Sequence, residues 1–187
     1  MIIKKPATIE DLYRLDVDGK AELVNGEIEF MTPTGGEPNF AALQIVLSLQ
    51  QYAEQTEQGW ATSDGAAFIV DLPHRQSFSP DAAYFLGPDP GMKFFSGAPV
   101  FAVEVRSEGD YGQYAERKMA AKRTDYFAAG TLVVWDVDLE SEDLVRVYRA
   151  SDPENPTLFR RGETADAEPA VPGWSFPVDK LFRPRKK

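Results

Sequence analysis

Apolar and polar positions near the start of the chain follow the patterns of a short helix and a β-hairpin. Thr8-Ile-Glu-Asp11 has the form of a capping box, and it opens a helix in which Leu12 and Leu15 face inward. Asn25-Gly26 separates two short segments in which apolar and charged residues alternate. This dipeptide favours a two-residue type I′ turn, so a hairpin is predicted over residues 21–30.

Two longer helices are predicted further along the chain. After a loop over residues 31–38, Asn39 is the expected N-cap of a helix that ends near Gly59. This helix carries apolar side chains, which are Phe40, Leu43, Val46, Leu47 and Leu49. The other helix covers Tyr111 to Ala129 and ends at Gly130. Both are expected to flank a sheet formed by the remaining segments.

Between and after these helices, apolar residues occur in short runs that are typical of strands. The predicted strands cover residues 66–71, 78–85, 100–105, 132–137, 144–149 and 158–161. The run Leu132-Val-Val-Trp-Asp-Val137 is almost continuously apolar, as in a central strand covered on both faces. A mixed sheet flanked by helices is therefore expected, of the α/β or α+β class. No repeat or linker divides the chain, so a single domain over residues 1–187 is predicted.

The residue types present restrict the chemistry that the chain can carry out. It has no cysteine and one histidine, His74, which excludes a thiol nucleophile, a thiolate site and a multi-histidine zinc site. A metal site would have to use oxygen ligands, which favours magnesium or manganese. No segment has the form of a signal peptide or a transmembrane span, so a cytoplasmic protein without a membrane partner is expected.

The net charge of −10 counts against strong nonspecific binding of nucleic acid, which depends on neutralising phosphates. A local basic patch can still act on an acidic protein, and a bound divalent cation offsets carboxylates. Basic residues cluster at Arg117-Lys118, at Lys122-Arg123 and in the tail 183–187, which is interpreted first as a solvated end. Nucleic acid is therefore retained as a candidate partner.

The first candidate functional residue is a carboxylate inside an apolar strand. Alternation along residues 101–106 places Ala102, Glu104 and Arg106 on one face of that strand. A carboxylate in such a strand is costly unless a partner neutralises it. Either Glu104 forms an ion pair with Arg106 or with a neighbouring strand on a solvated face, or it belongs to a functional site.

The second candidate, Asp81, follows Pro80 in the preceding predicted strand. A Pro-Asp pair often marks only a turn, as is expected of Pro88-Asp89 in the same chain. The interval between Asp81 and Glu104 is long enough for a strand, a loop and an adjacent strand. Two carboxylates on adjacent strands can hold one divalent ion, which polarises a phosphoryl oxygen and activates a water. Asp81 and Glu104 are therefore the predicted metal ligands.

The third candidate lies on the predicted helix over residues 111–129. Lys122 is the charged residue at the centre of a stripe defined by about 100° per residue, whose members are Ala115, Met119, Lys122 and Tyr126. A lysine on an inward face requires a carboxylate partner or a role in a reaction. The alternative is a side chain that snorkels along apolar surface to reach water. Because the chain also offers two candidate metal ligands, Asp81 and Glu104, the functional interpretation of Lys122 is favoured.

An ordered series of short motifs resembles the PD-(D/E)XK nuclease superfamily, and within it the bacterial "Uma-two" family of restriction-endonuclease-like proteins. The matching pieces are Glu22-Leu-Val-Asn-Gly-Glu27, Ser79-Pro-Asp81, Val103-Glu-Val-Arg-Ser107, Lys122-Arg-Thr-Asp-Tyr126 with Ala129-Gly130, Val134-Trp-Asp136 and Pro172-Gly-Trp174. Their order and spacing agree over residues 8–182, which leaves a short basic tail outside this core. Each piece is weak alone, whereas the ordered series is specific.

The resemblance implies a restriction-endonuclease-like mixed sheet, hydrolysis of phosphodiester bonds with Mg²⁺ or Mn²⁺, and homodimers. Its acidic pair corresponds to Asp81 and Glu104, and its helix-borne lysine corresponds to Lys122. The family pattern adds Glu22 as a fourth catalytic residue, although a solvated Glu22 fits the hairpin nearly as well. Arg106 stands where the superfamily more usually has a lysine. An arginine cannot act as a base, so Arg106 is expected to hold a phosphate or Glu104.

These expectations together describe a metal-dependent endonuclease that acts on nucleic acid, with DNA favoured over RNA. In the expected mechanism, Lys122 orients or helps deprotonate the attacking water, or it stabilises the developing negative charge. The alternative is a catalytically silent nuclease fold that serves as a binding or dimerisation module.

Overall fold

The computed structural model describes residues 5–15 and 19–184. In these ranges the helices are α1 (Ile9–Tyr13), α2 (Gly36–Thr56), α3 (Gln113–Ala128) and the 3₁₀ helix η1 (Val178–Leu181). The earlier strands are β1 (Ala21–Val24), β2 (Glu27–Phe30), β3 (Trp60–Ser63), β4 (Phe68–Leu72), β5 (Arg75–Phe78), β6 (Ala82–Phe85) and β7 (Phe95–Ser96). The later strands are β8 (Phe101–Val105), β9 (Val133–Val137), β10 (Val145–Arg149), β11 (Asp152–Phe159), β12 (Thr164–Asp166) and β13 (Ser175–Pro177). None of the helices in this part of the chain has both the length and the apolar character needed to cross a membrane.

Two principal sheets form the centre of the fold. Six strands are arranged in the order β11-β10-β9-β8-β6-β3, in which β8 runs parallel to β9 and antiparallel to β6. Five strands form the other principal sheet, in the order β2-β1-β5-β4-β7. Strands β12 and β13 pair with each other as a small additional sheet. The predicted class, a mixed sheet flanked by helices, is confirmed.

Strand β8 contributes to two apolar cores because its side chains alternate between the faces of the six-stranded sheet. On one face, Phe101, Val103 and Val105 belong to a large buried cluster that includes side chains of α2. On the other face, Ala102 belongs to a smaller cluster that includes side chains of β5 and α3. Glu104 therefore shares a face with Ala102, as alternation predicted, and this face is covered by α3.

The two local predictions at the start of the chain are confirmed. The N–H of Asp11 donates to Thr8 Oγ1 at 3.3 Å, and the N–H of Thr8 donates to the Asp11 carboxylate at 2.8 Å, which completes a capping box. Asn25 and Gly26 have φ angles of 51° and 71°, the positive values that a type I′ turn requires. Leu15 lies beyond the end of α1. Both signals act within a few residues, so the sequence alone could place them.

Helix α2 begins earlier than predicted. Gly35, rather than Asn39, occupies the N-cap position in an extended conformation. Pro38 lies in the first turn, where its missing N–H costs no intrahelical hydrogen bond. The prediction of Asn39 as the cap was therefore wrong, and the predicted loop over residues 31–38 is shorter by part of a turn.

Other differences arise from contacts that are distant in sequence. The predicted strand over residues 78–85 is interrupted at Ser79-Pro80-Asp81, which separates β5 from β6. Strand β11 begins at Asp152, earlier than the predicted start at residue 158. The short strands β3, β7, β12 and β13 and residues 75–77 of β5 were not predicted, since each depends on a partner strand for its hydrogen bonds. Residues 185–187 of the basic tail lie outside the described residues.

Candidate active site

A cleft of about 320 Å³ lies between the two principal sheets and helix α3. Its lining contains charged residues from parts of the chain that are far apart in sequence. Among them are Lys20 before β1, Glu22 of β1, Asp81 between β5 and β6, Glu104 of β8 and Lys122 of α3. The structure thus brings the four residues predicted to be catalytic to one place, together with a lysine that was not predicted.

Asp81 is held against strand β8 by the interruption between β5 and β6. The backbone N–H of Asp81 donates to the carbonyl oxygen of Val103 at 3.0 Å. Its carboxylate turns towards the same strand, and Oδ2 accepts the N–H of Val105 at 2.7 Å. Pro80, which has no N–H to donate, lies in this interruption, where no sheet hydrogen bond is lost. Asp81 and Glu104 therefore line the same cleft, as a shared metal site would require.

Lys122 connects helix α3 to both principal sheets. Its Nζ atom lies 2.8 Å from Glu104 Oε1 and 2.9 Å from Glu22 Oε1, and its side chain is 15% exposed. Tyr126, one turn further along the helix, donates its hydroxyl to Glu104 Oε1 at 2.7 Å. Because the ammonium group ends between two carboxylates, Lys122 is not a side chain that merely snorkels to water.

Four charged groups of this cluster have shifted pKa values. Burial acts to lower the pKa of Lys20, but the carboxylates of Asp81 and Glu104 outweigh it and raise that pKa. Burial acts to lower the pKa of Lys122, but the carboxylates of Glu104 and Glu22 outweigh it and raise that pKa above its ordinary value. Burial raises the pKa of Glu104, and the positive charge of Lys122 compensates only in part because Asp81 and Glu22 lie nearby. Burial would also raise the pKa of Glu22, but Lys122 and Arg75 lower it. Lys122 is thus protonated at neutral pH. At Glu104 the nearby positive charges do not outweigh burial and the neighbouring carboxylates, so its pKa stays raised.

Glu22 is buried, so the solvated position that the sequence also allowed is excluded. Arg75 Nη1 donates to its Oε2 at 2.6 Å, and the N–H of Ser79 donates to its Oε1 at 2.9 Å. Arg75 also donates through Nε to Asp125 Oδ2 at 2.8 Å, and Asp125 Oδ1 lies 2.7 Å from His74 Nε2. A series of ion pairs and hydrogen bonds therefore runs from the cleft to the partly exposed His74.

Sequence reasoning missed two cations, Lys20 and Arg75. Lys20 Nζ lies 2.7 Å from Asp81 Oδ1 and 2.8 Å from Asp64 Oδ1. The two-residue period of a strand places Lys20 on the same face as Glu22, and this signal could have identified it. Arg75 gave no comparable signal, because its two carboxylate partners lie 53 and 50 positions away in the chain.

Arg106 occupies a different environment from the one predicted. Its Nε and Nη2 atoms each donate to the Asp136 carboxylate at 2.8 Å, and its Nη1 and Nη2 atoms donate to Glu116. The Arg106 side chain is 3% exposed, so its donors are committed to these two carboxylates. Glu104 pairs with Lys122 instead of Arg106. The expectation that Arg106 holds Glu104 is therefore corrected, since this arginine connects the end of β8 to β9 and α3. Binding of a phosphate by Arg106, which also lines the cleft, stays a prediction.

Comparison with known proteins identifies the family of the chain and a structure with the same fold. A family model described as "Putative restriction endonuclease" matches residues 9–179. The chain belongs to the Uma2 family. The crystal structure of a "putative nuclease belonging to DUF820" from Anabaena variabilis is similar, with a TM-score of 0.74 and 19% sequence identity, and the match covers 95% of this chain and 98% of that chain. At this identity the likeness shows a shared fold. No curated protein matches the chain.

Membership of the Uma2 family confirms the resemblance found in the sequence motifs. The matched residues 9–179 include all the charged residues of the cleft described above. The family supports a nuclease function in general terms. The roles of the individual side chains follow from their chemistry and are proposals.

Proposed function

We propose that this member of the Uma2 family is a metal-dependent endonuclease that hydrolyses phosphodiester bonds in nucleic acid, with DNA as the favoured substrate. The observation that carries the proposal is the contact of Lys122 with Glu104 and Glu22 in a cleft that Asp81 also lines. Charges removed from water are costly to keep together, and such clusters occur preferentially at catalytic sites. A role in the reaction accounts for this cost.

The donor set of the cleft fits magnesium or manganese. Asp81 and Glu104 supply carboxylate oxygens, the ligands that these ions prefer, and magnesium is often held by one or two carboxylates together with waters and substrate phosphates. Residues 5–15 and 19–184 contain no group of three acidic or histidine side chains arranged to hold an ion by themselves, so waters and substrate phosphates would have to complete the coordination. When bound by Asp81 and Glu104, the ion would polarise a phosphoryl oxygen and lower the pKa of a bound water.

The other side chains of the cleft position charge. Because its two carboxylate partners raise the pKa of Lys122, this residue is proposed to stabilise the negative charge that develops on the phosphate, and the role of a base is not assigned to it. Glu22 holds the ammonium group from one side and Glu104 holds it from the other. Tyr126 fixes the Glu104 carboxylate through its hydroxyl group.

We also propose that the protein forms a C2 homodimer, as the family resemblance implied. Light scattering at micromolar concentration should then give twice the chain mass of 20.8 kDa. A mass equal to that of one chain would contradict the dimer. The nuclease proposal does not depend on this result, because every residue that it uses lies in one chain.

A cleavage screen tests the proposed activity. Supercoiled plasmid, linear duplex DNA, single-stranded DNA and RNA are incubated with the wild type or Asp81→Ala, in Mg²⁺, Mn²⁺ or a chelator. We expect cleavage of DNA by the wild type with metal, no cleavage with the chelator, and none by the variant. Mn²⁺ should also raise the melting temperature of the wild type more than that of Asp81→Ala. If the wild type cleaves nothing, the catalytically silent binding module becomes the better interpretation.

A further inference from the structure

We propose that Lys20 is an internal cation that competes with the divalent metal for Asp81 and so sets the metal affinity of the cleft. This inference rests on the proposed metal-dependent function. It concerns a residue that neither the sequence motifs nor the family comparison assigns to the site. The geometry of Lys20 is the starting point of the argument.

Lys20 neutralises the predicted metal ligand Asp81. Its ammonium nitrogen lies 2.7 Å from Asp81 Oδ1, and its side chain is 12% exposed. The other carboxylate oxygen, Oδ2, already accepts the N–H of Val105. Oδ1 is therefore the oxygen that faces the cleft cations, and Lys20 is in contact with it.

Binding of a divalent ion at Asp81 would require Lys20 to move. An ion on Oδ1 would bring its two positive charges next to the ammonium group of Lys20, and like charges repel strongly where water is partly excluded. Lys20 has an alternative partner, since Asp64 Oδ1 lies 2.8 Å from the same nitrogen and the Asp64 side chain is 38% exposed. Metal binding is thus an exchange of one cation for another, in which Lys20 keeps Asp64 and releases Asp81.

Lys122 is held differently, because both of its carboxylate partners lie in the cleft. Its ammonium group is held between Glu22 and Glu104. Lys20, by contrast, has one partner in the cleft, Asp81, and one near the surface, Asp64. The two lysines therefore have separate roles, and substitution of Lys20 leaves the contacts of Lys122 in place.

Calorimetric titration with Mn²⁺ tests the exchange without reference to cleavage. We compare the wild type with Lys20→Met, which removes the competing charge, and with Lys20→Arg, which keeps it. The Met variant should bind Mn²⁺ about tenfold more tightly, because a hydrogen bond to a charged group no longer has to be broken. Lys20→Arg should bind within about threefold of the wild type. Lys118→Met is the matched control, since Lys118 is 63% exposed and pairs with Glu29 at the surface.

Thermal unfolding supplies a further measurement on the same proteins. Without metal, Lys20→Met should melt at a lower temperature than the wild type, because Asp81 loses its partner. With saturating Mn²⁺, the difference should shrink or reverse. If Lys20→Met does not fold, Lys20→Gln preserves a donor to Asp81 without the charge and should show the same increase in Mn²⁺ affinity.

The outcomes separate this inference from the proposed function. Equal or weaker Mn²⁺ binding by the folded neutral variants, with wild-type binding intact, would overturn the role of Lys20 alone. Absence of Mn²⁺ binding from the wild type and from the neutral variants would overturn both the role of Lys20 and the metal-dependent function. Tighter binding by the neutral variants, with no change in Lys20→Arg or Lys118→Met, is the expected result.

Discussion

Lys122 Nζ lies 2.8 Å from Glu104 Oε1, across the interface between helix α3 and the central strand β8. Glu104 interrupts a strand whose other side chains are apolar, and Lys122 interrupts a stripe of uncharged residues on the helix. Burial of either charge without the other would cost free energy. Their contact, extended by Glu22, is the feature on which the proposed activity depends.

Substitution Lys122→Met should abolish most of the cleavage. Without the ammonium group, Glu22 and Glu104 lose their common partner, and the phosphate in the transition state loses the positive charge that Lys122 supplies. Removal of such a group typically lowers the rate by about a hundredfold or more. The unfolding free energy should also fall, by about 3 kcal/mol, because the buried carboxylates Glu22 and Glu104 lose the ammonium group that neutralises them. Plasmid cleavage and urea unfolding measure the two effects.

Lys118→Met is the control for this change on the same helix. Lys118 pairs with Glu29 at 3.1 Å near the mouth of the cleft and is mostly exposed. Its loss should change the unfolding free energy by less than about 1 kcal/mol. The cleavage rate of Lys118→Met should stay close to that of the wild type. Equal losses of activity in both variants would mean that the basic residues act only as a patch that attracts phosphate.

Much of this site could be predicted from the sequence because period and spacing are local properties. Alternation placed Glu104 on the face that α3 covers, and helical spacing placed Lys122 at the centre of the inward stripe. The Asn25-Gly26 turn fixed the hairpin that carries Glu22. In each of these cases the deciding interactions lie within a few residues of one another.

The remaining features depend on contacts between distant segments. The interruption at Asp81 is stabilised by the N–H of Val105, 24 positions later. The burial of Glu22 depends on Arg75 and on the backbone of Ser79, 53 and 57 positions away. No local pattern contains this information. For the same reason the partner of Arg106, the buried Asp136 on the adjacent strand, could not be read from the spacing that suggested Glu104.

The raised pKa of Glu104 predicts a specific pH dependence of stability. The folded protein holds the Glu104 proton more tightly than the unfolded chain does, since burial raises the pKa above its ordinary value of 4.5. The folded state therefore binds more protons between 4.5 and the raised pKa, and this residue reduces stability as pH rises through that window. Glu104→Gln cannot ionise, so its unfolding free energy relative to the wild type should increase with pH over the same window.

Urea unfolding of the wild type and Glu104→Gln at closely spaced pH values provides the measurement. The absolute stabilities need not agree, because the variant also changes the partners of Lys122 and Tyr126. The slope of the difference with pH is the quantity of interest. Stability curves that run parallel from pH 4 to pH 7 would exclude a raised pKa at Glu104.

Arg106→Met separates a structural arginine from one that binds phosphate. Asp136 is almost fully buried and would lose both hydrogen bonds from the guanidinium group. The unfolding free energy should fall by about 3–5 kcal/mol, as for other broken buried ion pairs. Arg160→Met, which breaks an exposed pair with Asp143, should change the unfolding free energy little by comparison. At a temperature where Arg106→Met stays folded, its KM for DNA should match that of the wild type, whereas a large rise in KM would support the phosphate-binding role.

Arg75→Lys tests whether the arginine behind the cleft positions the charges in front of it. The planar guanidinium group of Arg75 reaches Glu22 and Asp125 at once, through Nη1 and Nε. A lysine has one ammonium group and cannot reproduce this two-sided contact. Glu22 should then shift, and Lys122, which it holds at 2.9 Å, should shift with it. Misplaced catalytic groups lower the rate of the chemical step, so kcat should fall about tenfold or more while KM changes little.

His74→Asn is the matched control at the outer end of the same series of ion pairs and hydrogen bonds. His74 contacts Asp125 but lies at the surface, so its loss leaves Arg75 and Glu22 in contact. Its kcat should stay within about threefold of the wild-type value, since a weakened surface pair is worth little. If Arg75→Lys keeps the wild-type kcat at a temperature where it is fully folded, Arg75 only stabilises the fold. A fall in kcat without a rise in KM, seen in Arg75→Lys and absent from His74→Asn, would identify Arg75 as the residue that orients Glu22 towards Lys122.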